Sequence, residues 1–140
     1  MSLFSALDIN TSGLTAQRRR AEVASSNLSN TETTRTAEGG PYRRKDVVFQ
    51  TTTFGSALQD ADIRNQGVEV AGVIDDLTPF DPRYEPGHPD ADADGYVLYP
   101  NVNTMEEMAN MMSAARSYEA SIAAISIVKS MINRTLDLGR

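Results

Sequence analysis

A chain of 140 residues, 40% of them hydrophobic, has room for one domain with a modest core, or for a small folded body carrying long helical arms, and not for two full domains. It has no cysteine and one histidine, which excludes disulfide frameworks, thiol nucleophiles and zinc sites built on Cys or His clusters. The net charge of −6 is unevenly spread: residues 1–50 hold seven Lys/Arg against five Asp/Glu, residues 108–140 four against two, and the stretch between them two against twelve, the reverse of a nucleic-acid footprint.

The N-terminus, MSLFSALDIN, has no basic leader, and Ser5, Asp8 and Asn10 interrupt its apolar residues, so no secretory signal peptide is expected. Leu7, Leu14, Ala21 and Leu28 then recur every seven residues, with Leu3 and Ala24 in the flanking lane, and predict a helix over about 3–29. Asn10 and Gln17 interrupt the apolar lane, and Gly13 costs the helix up to about 1 kcal/mol relative to alanine. The run Arg18 to Arg20 spreads over roughly 200° of a helix, so it is a solvated face or a contact for the acidic middle of a neighbouring copy.

The pattern next changes to turns and strands. GGPYRRKDVVFQTTTF, Gly39 to Phe54, opens with a turn and continues with β-branched and aromatic residues, and GVEVAGVID, Gly67 to Asp75, alternates weakly. Prolines 79, 82, 86 and 89 make Leu77 to Asp94 an expected extended loop ahead of a strand-like YVLY at 96–99. Within HPDADADGYVLYPN, Asp90, Asp92, Asp94 and Gly95 occupy positions one, three, five and six of a calcium loop. The twelfth position, which needs a bidentate glutamate, is Asn101, and prolines replace the leading helix. An acidic turn with Gly95 at a permissive backbone position is therefore expected, with a calcium-binding interaction module on Asp90, Asp92 and Asp94 as the alternative function. No catalytic motif, cofactor site or metal site is expected.

The strongest periodicity comes last. Met108, Met111, Ala115, Tyr118, Ile122, Ile125, Lys129, Ile132 and Leu136 follow a three-four spacing and form one stripe of a helix over about 104–137, begun by a Thr104–Glu107 capping box and ended near Gly139. Its longest apolar-rich run without a charge, Ala120 to Val128, falls short of the roughly 20 residues of a membrane span. The fold expected is mainly α with a small β region: an N-terminal helical arm (1–30), a central β-rich and loop region (31–103) and a C-terminal helix (104–140), the two helices packed as a coiled-coil-like pair.

Seven large apolar side chains on the stripe offer about 10–20 kcal/mol when buried, while ordering some 30 residues of backbone costs roughly 1–2 kcal/mol each, so this helix must pack on something. With Met108 as heptad position a, Lys129 also falls at a. The flanking lanes hold small or apolar residues, Ala114, Ser121 and Val128 among them, with Glu119 their only charge. A freestanding zipper carries charged pairs there, so the pattern fits a helix surrounded by several others, an ordinary intramolecular pair being the plainer reading. The seam expected between helices or subunits is Leu7, Leu14, Leu28, Met108, Met111, Ala115, Tyr118, Ile122, Ile125, Lys129, Ile132 and Leu136.

Two long motifs carry a family resemblance. NLSNTETTRTAEGGPYRRKDVVFQ, from Asn27, resembles the N-terminal signature of bacterial flagellar rod and hook proteins, and YEPGHPDADADGYVLYPNVN followed by MEEMANMMSAARSYEASIAAI is similar to their C-terminal signature. The resemblance implies a non-enzymatic axial subunit of the proximal rod of the flagellar basal body. Its terminal helices would pair and stack with those of neighbours into a helical tube that transmits motor torque, with the β region outside. It further implies export through the flagellar type III apparatus without a cleaved signal and a place in the periplasmic rod. The implied partners are further copies of itself, other rod proteins, a FliE-type adaptor and the membrane-ring components.

Overall fold

The computed structural model describes residues 3–53 and 66–138. Helix α1 (Leu3–Ser29) and helix α2 (Thr104–Leu138) frame four strands, β1 (Lys45–Thr53), β2 (Gln66–Asp75), β3 (Asp81–Tyr84) and β4 (Tyr96–Tyr99). The strands form two separate antiparallel pairs, β1–β2 and β3–β4. The fold is thus mainly helical with a small β region, as expected; Phe54 and Gly139, expected ends of a strand and of a helix, lie outside the described residues.

The helices run antiparallel. A Cβ on Gly13 would stand 4.0 Å from Ser121 Oγ, Arg20 Nη2 donates to Ser113 Oγ at 3.2 Å, and Asn27 Nδ2 donates to Glu107 Oε2 at 3.0 Å. Three contacts seven residues apart on α1 thus meet residues stepping back along α2. Small side chains set the closeness of this seam, with Ala16 and Ala24 buried on α1 and Ala114 buried on α2. The leucines at 7, 14 and 28 flank the seam half-buried.

α2 begins differently from the expectation. Asn103 is its N-cap: Asn103 Oδ1 accepts from the amides of Met105 at 3.0 Å and Glu106 at 3.4 Å, relieving the amides left open in the first turn. The Thr104–Glu107 capping box does not form, because the Glu107 carboxylate turns inward to Arg44 and Asn27. A buried ion pair outcompetes a solvent-exposed cap.

β1 and β2 pair from Lys45↔Asp75 to Thr53↔Gln66, with a bulge between Val48 and Phe49 that leaves Ala71 unpaired. This hairpin lies on α1, where Val68 N donates to Ser12 Oγ at 3.1 Å. β3 corrects the expectation of an unbroken loop over Leu77 to Asp94, since Asp81–Tyr84 pairs with Tyr96–Tyr99. A strand with a single partner tolerates Pro82, whose missing amide matters only where a ladder bond is needed. Val97 and Tyr99 on β4 are buried.

The accessible surface is 9761 Å², against about 7100 Å² expected for a compact monomer of 15.2 kDa. Large apolar side chains remain uncovered on α2, Met105, Ile127 and Leu136 among them.

Candidate assembly interface

Three features define the candidate site: a polar junction that fixes the helices to the strands, the acidic turn, and the uncovered lane of α2. The junction forms where the end of α1 meets the start of α2. Asn27 and Glu107 are its buried members, 1% and 2% exposed. Asn27 uses every hydrogen-bonding position it has: Nδ2 donates to Lys45 O at 2.8 Å and Glu107 Oε2 at 3.0 Å, and Oδ1 accepts from Tyr42 Oη and Lys45 N, both at 3.0 Å. Glu107 Oε1 accepts from Arg44 Nε at 2.8 Å, and Arg44 Nη1 reaches Asp76 Oδ2 at 3.3 Å. Burial lowers the pKa of the Arg44 guanidinium, but Glu107, Asp46 and Asp76 more than offset it, and the pKa stands above the ordinary arginine value. Beside it, Asn101 Oδ1 accepts from Arg44 N at 2.9 Å while Asn101 Nδ2 donates to Asp76 O at 3.1 Å and Thr78 Oγ1 at 2.7 Å. Arg43 completes the clamp, donating to Asp76 O at 2.9 Å with its guanidinium 4.3 Å from the centre of the Phe80 ring. One short run, Tyr42 to Lys45, therefore ties both helices to β1–β2 and to the segments that flank β3–β4.

Asp76 is the acid-sensitive member. Hydrogen bonds from Thr78, the backbone amide foremost, and then Arg44 hold its carboxyl below the usual carboxylate range. A carboxylate whose pKa falls on folding stabilises the folded state while ionised and loses that contribution as the pH drops below about 4 through the lowered folded value. The urea midpoint should fall as the pH goes from 5 to 3, and Asp76→Asn should flatten that fall when both proteins are titrated side by side.

The acidic turn is occupied by its own chain. Asp90 takes Thr34 Oγ1 at 2.8 Å and pairs with Arg35, and Asp92 Oδ1 accepts from the amides of Asp94 at 3.0 Å and Tyr96 at 2.8 Å. These carboxylates serve as hydrogen-bond acceptors that close the turn, and among the described residues no three His, Asp or Glu side chains gather as a metal site. The calcium-binding alternative gains no support from this geometry. Gly95 turns the chain at φ +82°, and a Cβ there would stand 2.9 Å from Tyr84 Cε2 and 3.2 Å from Pro86 Cβ. Gly95→Ala should cost about 2 kcal/mol, combining the left-handed backbone penalty with the clash, as a lower chemical denaturation midpoint would register.

Of the stripe residues expected on α2, the structure half-buries Met111, Tyr118, Ile125 and Ile132. Met108, Ala115, Ile122, Lys129 and Leu136 are exposed, Ile122 by 47% and Leu136 by 66%. The residues that meet α1 most closely are instead Glu107, Ala114 and Ser121, one lane round the helix. Met105 and Met112 widen the uncovered apolar surface.

Comparison with known proteins places the chain. Residues 7–35 match the family described as flagella basal body rod protein, and residues 93–138 match the flagellar basal body rod FlgEFG protein C-terminal family. The chain is 46% identical to the flagellar basal-body rod protein FlgC of Escherichia coli O157:H7 and 47% identical to that of Salmonella typhi, each over the full length of both chains. It is 39% identical to FlgC of Bacillus subtilis strain 168, again with both chains fully covered. The chain belongs to the FlgC family of flagellar basal-body rod proteins. The two matched segments hold the paired helices together with Asn27, Asp94 and Glu107, whereas the clamp Tyr42 to Lys45 lies between them. Sequence reasoning missed this clamp; its signal was a polar Asn27 beside Leu28 at the end of an apolar lane, with three adjacent cations, Arg43 to Lys45, after the turn that follows.

Proposed function

We propose that this FlgC-family chain is a structural subunit of the proximal rod of the flagellar basal body, assembling by helix packing into a tube that transmits motor torque. The observation that carries the reading is the uncovered lane Met108, Ala115, Ile122 and Leu136 on a helix whose other side is already paired. A large exposed apolar surface on a folded chain marks an interaction site, and a helix lane is matched by other helices. Lys129 in that lane is a register-setting position, where a single polar residue selects one packing over its neighbours.

The partners that follow are further copies of the chain, other rod proteins, a FliE-type adaptor and the membrane-ring components, in the periplasmic space. The chain reaches them through the flagellar type III export apparatus without a cleaved signal. No catalysis and no cofactor enter the proposal, and no helix among the described residues is long and apolar enough to cross a membrane.

Methionine oxidation tests it. Met108 and Met112 are 45% and 56% exposed in the single chain, so dilute peroxide should convert both to sulfoxides in the isolated protein. In purified basal bodies the same treatment should spare Met108, read by peptide mass spectrometry. Equal oxidation of Met108 in the two samples would remove the lane from the interface.

A further inference from the structure

Two features lack a partner among the described residues, and they complement each other. The first is a cleft of about 350 Å³ where the C-terminal half of α1, strand β1 and the first turns of α2 meet. Val23, Val47 and Phe49 supply its apolar lining, and Arg20 and Asn110 line it as well. The other charges there are already matched, Arg44 to Glu107 and Asp46, and Lys45 to Asp75. Arg20 is not: it donates to Ser113 Oγ, its Nε is buried without an acceptor, and no carboxylate among the described residues pairs with it. A buried donor left without an acceptor keeps its desolvation cost, so this cleft gains from an incoming acceptor.

The second feature is the outer face of β3–β4. Pro82, Tyr84, Tyr96 and Leu98 alternate with the buried Val97 and Tyr99, and so fall on the opposite side of the pair. The rings of Tyr84 and Tyr96 meet edge to face at 5.4 Å, yet they remain 66% and 45% exposed. Asp94 stands in the turn beside them, adjoining Gly95, whose Cβ position touches the Tyr84 ring. Its carboxylate is exposed and has no bonding partner among the described residues.

The geometry points to a contact between copies of this chain in which the β3–β4 tip of one, with Tyr84, Tyr96 and Asp94, fills the Arg20 cleft of the next. Charge complementarity selects the occupant: the uncompensated group of the cleft is a cation, that of the tip is a carboxylate, and both are framed by apolar surface. Tip and cleft are different patches of one chain, so the contact is heterologous and repeats from copy to copy, the kind that builds an open helical array. It rests on the rod-subunit reading and adds to the helix lane a second, outer contact made by the β region.

The absence of cysteine makes the test direct. Asn110→Cys, at the cleft, is labelled with benzophenone maleimide, introduced into cells lacking the native chain, and irradiated in purified basal bodies. The expected product is a species of twice the chain mass, with the label attached within residues 81–98 of the second copy. Attachment to a different rod protein, or to another segment, overturns the proposal, as does incorporation with no adduct. Failure of the rod-subunit reading looks different, because the unlabelled native chain would then be missing from basal bodies altogether. Asp94→Arg provides the independent measurement, since an exposed and unpaired side chain can change without unfolding the protein. It should lower the incorporated fraction about tenfold, the equivalent of roughly 1.4 kcal/mol, and Arg20→Glu in the same chain should recover most of the loss. Unchanged incorporation of Asp94→Arg would overturn the contact.

Discussion

Glu107→Ala should destabilise the isolated chain by about 3–5 kcal/mol, the largest effect expected of any single substitution here. Glu107 is 2% exposed and accepts from both Arg44 and Asn27, so truncation leaves a partly buried cation and a buried amide without their acceptor. The loss exceeds the worth of the contacts themselves, because the remaining partners keep the cost of their desolvation. Two further variants check the mechanism. Glu107→Gln retains the shape and one acceptor oxygen, and should lose less. Arg44→Met combined with Glu107→Met removes both charges and should cost less than the two single changes added together, as urea unfolding of the four proteins would reveal. Equal losses for Ala and Gln would mean that packing, not the ion pair, holds the junction.

Ile122→Asp should leave the folded chain nearly untouched and abolish rod assembly. At 47% exposure Ile122 contributes little to the single chain, and an exposed helix position tolerates aspartate at a cost of about 0.5 kcal/mol. In a packed lane the same carboxylate would have to be buried unpaired, at several kcal/mol for every copy incorporated. The expected pattern is therefore a thermal midpoint close to that of the native chain, no recovery in basal bodies, and loss of motility. Ile125→Asp serves as the contrast, since half-burial should make it fail in folding as well. Normal rods built from Ile122→Asp would show that this lane faces solvent.

Both helices were legible in the sequence because a three-four spacing of apolar residues has few other solutions, and α1 begins at Leu3 and α2 at Thr104 as the pattern required. The family was legible as well, carried by two long composite motifs. The short strand β3 was not: four prolines around Asp81–Tyr84 argue for a loop, and only the backbone of β4, brought alongside by the turn at Gly95, makes a strand of it. The cap of α2 was misread for a related reason. The spacing of Thr104 and Glu107 satisfies the local rule for a capping box, but Glu107 gains more from Arg44, which is 63 residues away in the chain. Local patterns describe what a residue can do with its neighbours along the chain and are silent about distant competitors.

The same distinction separates the stripe from the seam. Periodicity alone determined that α2 has an apolar side and must be covered, since the spacing of large side chains decides which way they point on a helix. Which part of that side the chain covers by itself was decided only by the tertiary structure. Gly13, Ala16, Ala24, Ala114 and Ser121 let the two backbones approach along a lane of small residues, and the fourfold bonding of Asn27 locks that rotation. Close approach and satisfied buried polar groups set the rotation of the pair, leaving the larger side chains of Met108, Ile122 and Leu136 outside it.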